Sequence, residues 1–106
     1  MYCILYQWKI IPGKKTEFVQ AWQKMTRHYI DEYGAVEFRL HQVSENHYAA
    51  YAQWADKKSR IEAFGRSDEI NDVVQEMQQY IVQRFEPLEM TLMVDEIVNE
   101  ISLDKT

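Results

Sequence analysis

A chain of 106 residues with 46% hydrophobic side chains has the length of one domain and can bury roughly 65% of the surface its unfolded form exposes. Its 12 Lys and Arg against 17 Asp and Glu leave a net charge of −5 with no basic cluster, a balance that repels phosphates and argues against nucleic acid as a partner. Cys3 is the lone cysteine, which excludes an intramolecular disulfide and a thiolate zinc site.

Cys3 lies in an apolar run and reads as an inert, half-buried thiol. No stretch approaches the ~20 apolar residues of a membrane span. The opening MYCILYQWKII lacks the basic start and small-residue cleavage site of a signal peptide. The expectation is a cytoplasmic protein with no membrane partner.

Met1 to Ile11 is rich in β-branched and aromatic residues and apolar in both alternating registers, as in a strand covered on both faces. Pro12-Gly13 stops it. Helical spacing then takes over: Phe18, Ala21, Trp22, Met25, Tyr29 and Tyr33 form one stripe, and Gly34 stands where a helix C-terminal glycine belongs. Glu37–Val43 and Tyr48–Trp54 read as strands joined by a short hairpin loop. Asp56 is placed to cap a short helix through Phe64, which Gly65 and Arg66 interrupt. A longer helix is expected with Ile70, Val73, Val74, Met77, Tyr80, Ile81 and Phe85 along one side, closed by Pro87. Leu88–Val98 supplies a last strand.

The order β-α-β-β-α-β predicts an α+β, ferredoxin-like domain over residues 1–98 with a tail at 99–106. Its four-stranded antiparallel sheet would carry both helices on one face. Leu5, Ile11, Val43 and Tyr51 recur in the opposite register, so the other face needs a cover. A second copy, giving a homodimer, is the simplest one.

Three stretches carry a resemblance: IIPGKKTEFVQAW after the first strand, EFRLHQV, and YAAYAQWADK with its strand-end Trp54. Together they resemble the antibiotic biosynthesis monooxygenase (ABM) domain of the dimeric α+β barrel superfamily, over nearly the whole chain. The family includes cofactor-free oxygenases of polycyclic phenols, quinol oxygenases and haem-degrading enzymes. The resemblance therefore implies sheet-to-sheet pairing into a barrel and a ligand pocket beside Trp54, and leaves the reaction to the site.

Pleat alternation sets Tyr48, Ala50 and Ala52 on the face of Trp54. The two alanines either leave a pocket or admit Trp22 and Met25 from the first helix. Quinol oxygenases of the family carry a His nine or ten residues after the strand-end Trp, where this chain has Ala63 and Phe64. The family's haem degraders carry an Asn, a Trp and a His where this chain has Tyr6, Phe64 and Val74, which argues against haem degradation. The expected substrate-binding residues are Trp54, Phe64, Trp22, Tyr48 and Tyr6.

Of the three histidines, His47 falls in the hairpin loop, expected at the solvent, and His28 on the polar side of the first helix. His41 shares with Arg39 the strand face turned away from Phe38 and Leu40. No metal-ligand spacing and no Gly-rich phosphate loop is present, so no metal and no cofactor is expected, and no catalytic residue is assigned. The leading expectation is a cofactor-independent monooxygenase of a small phenolic or quinol-like aromatic. The alternative is a non-catalytic dimeric domain that binds a small molecule or serves a structural role.

Overall fold

Tyr2–Ile10 forms β1, and because its apolar residues alternate, Ile4, Tyr6, Trp8 and Ile10 point to one side. The computed structural model describes residues 1–65 and 71–96. The remaining elements are α1 (Lys15–Tyr33), β2 (Glu37–Ser44), β3 (His47–Trp54), α2 (Lys57–Gly65), α3 (Asn71–Gln78), β4 (Ile81–Arg84) and β5 (Leu88–Thr91). All strand pairs are antiparallel in a five-stranded open sheet ordered β2-β3-β1-β4, with β5 also paired to β1.

Direct cross-strand pairs share a face, so the register Tyr6↔Ala50, Trp8↔Tyr48 and Leu40↔Ala50 builds one inner surface from three strands. The helices cover this surface. Phe18, Ala21 and Trp22 of α1 and Met77 of α3 pack with Trp8, Ile10, Tyr48 and Ala50, and Ala63 of α2 packs with Ala52 and Trp54. The expected α+β, ferredoxin-like architecture is present.

Two elements differ from their sequence expectation. The helix predicted through Phe85 ends at Gln78, and the chain continues as strand β4. The edge of β1 away from β3 decides this: Ile11 N–H donates to the Tyr80 carbonyl (2.8 Å) and Phe85 N–H to the Gln7 carbonyl (3.1 Å). A continuing helix would leave that edge of β1 unpaired, and β-branched Ile81 and Val82 suit a strand. The expected last strand is also shorter, with β5 stopping at Thr91. β4 pairs with Trp8–Ile10 and β5 with Tyr2–Leu5, so the fourth lane of the sheet is one path broken around Phe85–Pro87. Ile70, Arg66, the end of the last strand at Val98 and the tail 99–106 lie outside the described residues.

Two predicted helix ends, at Gly34 and Asp56, hold. Gly34 closes α1 in the left-handed region (φ 69°), where L side chains are strained, and its N–H reaches the Tyr29 carbonyl. Asp56 Oδ1 accepts from the Ser59 N–H (2.7 Å) and hydroxyl (2.8 Å) at the start of α2. Among the described residues no helix is long and apolar enough to cross a membrane.

Asp56 makes a pH test of this cap. The Ser59 backbone N–H, then its hydroxyl, hold the carboxyl below its ordinary value. The group's stabilisation is therefore complete above the unfolded pKa of about 3.9 and is lost as pH falls through the lower folded value. Asp56→Asn keeps a capping oxygen without the titration. Thermal melts of the variant are expected to show a shallower fall in Tm below about pH 4 than the parent.

Candidate functional site

The inner face leaves a gap where large side chains flank a small one. Ala50 lies between Tyr48 and Ala52 on β3 and faces Tyr6 across to β1. Over it Trp22, Met25 and Tyr29 of α1 and Val74 and Met77 of α3 frame a cavity of about 270 Å³ rather than filling it. Tyr6, Trp8 and Phe38 complete the sides, and Phe64, Gln78 and Arg84 complete the lining. Trp8 and Ala50 are buried, whereas Phe64 is 38% exposed and Gln78 and Arg84 are exposed, which sets the mouth beside these three. The Tyr6 and Trp8 rings lie parallel (interplanar 4°, centroids 5.8 Å apart), a flat wall suited to a planar ligand.

Polar groups on this wall are few. Arg84 reaches it because it pairs with Trp8 in the β1–β4 register, and among the described residues its guanidinium has no carboxylate partner. The Tyr6 hydroxyl accepts from Arg60 Nε (3.1 Å), and the Arg60 guanidinium lies over the Phe64 ring (4.5 Å). Burial raises the Tyr6 pKa, opposed by Arg60, and burial pushes Tyr29 up to about 12. Both phenols thus keep their protons at neutral pH. Among the described residues the wall carries no carboxylate, imidazole or thiol.

Of the expected binding residues, Tyr6, Trp22 and Phe64 are brought together on the wall, with Val74 beside them. Trp54 stands one layer behind, fully buried, its ring against Tyr29, Phe38 and Phe64 at 5.9–6.0 Å. Tyr48 is buried under a separate depression lined by Lys15, Trp22, Leu40 and His41. Both alternatives for the alanines hold in part: Trp22 and Met25 come down from α1, and space remains above Ala50.

Two of the three histidines differ from expectation. His28 is half-buried against Tyr29 and Tyr33, and His47 begins β3, bonded to Gln7 (2.9 Å) and stacked on Phe85. His41 is exposed on the outer face as read. Cys3 is fully rather than half buried, its sulfur accepting from the Tyr51 hydroxyl (3.1 Å). The described residues hold no cluster of three metal-ligating side chains.

Arg84, Gln78 and Arg60 were not expected at the site. The helical reading of residues 81–85 hid Arg84. The spacing of Arg60 four residues before Phe64 on one helix was the available signal for their stacking.

The model for the antibiotic biosynthesis monooxygenase family matches residues 1–76. No curated protein matches the sequence. Among solved structures, SnoaB, a cofactor-independent oxygenase from Streptomyces nogalater, is similar at 14% identity and TM-score 0.76, covering 89% of this chain and 94% of that one. A conserved protein from Methanosarcina mazei Go1 is similar at 15% identity and TM-score 0.71, covering 84% and 89%. A protein from Chloroflexus aurantiacus J-10-fl assigned to the same family is similar at 11% identity and TM-score 0.75, covering 92% and 98%. At such identities the likeness shows the fold.

Trp54 tests the layer behind the wall. Truncating a fully buried indole in a packed cluster costs about 3–5 kcal/mol, so Trp54→Ala should lose that much in urea unfolding. Among the described residues Trp54 Nε1 has no hydrogen-bond partner, so Trp54→Phe gives up ring volume but no hydrogen bond. It should cost clearly less than the alanine variant.

Proposed function

The chain belongs to the antibiotic biosynthesis monooxygenase family, and on that premise we propose that its cavity takes a small phenolic or quinol-like aromatic that itself reduces O₂, without a cofactor. The observation that carries this reading is the aromatic cavity of about 270 Å³ with the Arg84 guanidinium at its mouth. Its volume lies just below the roughly 300–1,000 Å³ usual for ligand pockets, which favours a ligand of one or two rings over an extended polycycle.

The chemistry asks for an electron-rich anion held beside O₂ away from bulk water. A phenolate gives up an electron more readily than its phenol, and a fixed cation lowers the pKa of a phenol bound next to it. Arg84 supplies that charge, while Trp8, Trp22 and Phe38 supply apolar faces for the ring. The electrons come from the substrate. A ring C–H carbon becomes a carbonyl, one oxygen atom stays on it, and the other leaves as water with two substrate hydrogens. The product is a quinone.

A binding role without turnover is the second reading. The lack of a carboxylate or imidazole on the wall, among the described residues, favours it.

We also infer a homodimer joined through the outer face of the sheet. Leu5, Tyr51 and Leu88 lie on that face in register, with Leu88 56% exposed. A stable pairing would bury more than about 1,000 Å² in total. Sedimentation at micromolar concentration should show a dimer, and a stable monomer would remove this inference.

The ligand reading is tested by melting and by oxygen uptake. A ligand bound only to the folded state, at about 100 times its Kd, stabilises by about 2.7 kcal/mol, so a phenol panel should raise the Tm by several degrees. Ala50→Leu places extra carbons in the cavity floor and should abolish that rise while the protein stays folded. Oxygen consumption with the same phenols supports turnover. A Tm rise with no oxygen uptake would leave the binding role standing and the monooxygenase reading refuted.

A further inference from the structure

A phenol oxygen can accept hydrogen bonds and has one proton to give. At Tyr6 the accepting side is taken, because Arg60 Nε–H donates to the oxygen at 3.1 Å. The Tyr6 proton has no acceptor among the described residues, although the side chain lies on the cavity wall. Arg60 is itself held in place, half-buried with its guanidinium 4.5 Å from the Phe64 ring centroid and 5.9 Å from that of Tyr6. A cationic donor on the oxygen polarises the O–H and makes it a stronger donor in turn.

We propose that the Tyr6 hydroxyl is the donor that recognises the ligand's oxygen, and that Arg60 is the positioning residue that aims it. Under this arrangement the cavity prefers aromatics bearing an anionic or carbonyl oxygen over hydrocarbons and over aromatic amines. The inference rests on the ligand-binding reading above and names the chemistry of that same site.

Three further observations agree with it. Tyr6 stacks in parallel with Trp8, which pairs across the sheet with Arg84, so the neutral donor and the Arg84 cation border one flat wall. Gln78, a further polar side chain on the wall, also carries donors. No carboxylate among the described wall residues would receive an ammonium group. The charged groups that bear on Tyr6 are Arg60 beside it and Glu89 from β5, and burial keeps its proton on.

The test uses 4-nitrophenol, whose absorbance reports its ionisation, and 4-nitrotoluene, which has a methyl in place of the hydroxyl. The full chain should bind 4-nitrophenol with its apparent pKa lowered relative to solution. Tyr6→Phe keeps the ring and should weaken phenolate binding at least about tenfold, as loss of a hydrogen bond to a charged group does. Binding of 4-nitrotoluene should be unchanged.

Arg60→Met leaves the hydroxyl in place, and should move both the affinity and the bound-probe absorbance in the same direction by a smaller amount. A purely structural role for Arg60 would leave that absorbance where it is in the parent. Equal losses for the two probes in Tyr6→Phe, or an unshifted 4-nitrophenol spectrum in both variants, would overturn the proposal and leave the cavity reading intact. Failure of the parent to bind either probe would overturn both.

Discussion

Strand β1 carries hydrogen-bonded neighbours on both sides, and its period-two alternation governs what the rest of the chain can do. Ile4, Tyr6, Trp8 and Ile10 are turned towards the helices because the strand cannot slip by one residue without sending all four to the other face. Two of the four, Ile4 and Ile10, are buried at 0% and 1% exposure and lock that choice. The other two are then presented, side by side, as the wall of the cavity. Stability and site thus draw on the same alternation, with the ends of the strand buried and its middle facing the gap.

The gap itself follows from uneven side-chain size rather than from a loop or a hinge. Tyr48 and Trp54 are large and fully buried at either end of β3, and Ala50 and Ala52 lie between them. The helices rest on the large residues and bridge the small ones. Trp54 therefore matters to the cavity through Tyr29, Phe38 and Phe64, whose rings it backs. A wall so supported is preformed, and a ligand entering it would not have to order its surroundings first.

Much of this was legible in the residues. Alternation marked β1 and β3, the stripe from Phe18 to Tyr33 marked α1, and Gly34 and Asp56 announced helix ends by chemistry that acts within a few residues. Residues 81–85 were not legible in the same way. Ile81 and Phe85 satisfy helical spacing from Met77, and Pro87 ends a helix as well as it interrupts an edge strand. The unpaired edge of β1 chose between them, and that is a tertiary fact. With β4 misread, Arg84 had no route to the site. Tyr6, Trp22 and Phe64 were reachable from pleat, stripe and resemblance, whereas Arg60 depended on a stacking contact that residue type alone does not reveal.

The break in the fourth lane bears on how this sheet can meet anything else. Its one outer edge is made of two four-residue strands with Pro87, which has no N–H to give, between them. The other edge, β2, bears the charged pair Glu37–Arg39 and loses register near Gln42–Ser44. Short, kinked and charged edges are the usual defence against strand-by-strand growth into larger β assemblies. An approaching chain is offered poor backbone templates at both rims, while the outer face between them mixes Leu5, Tyr51 and Leu88 with Arg39 and His41. Growth of the sheet by added strands is thereby disfavoured at either rim.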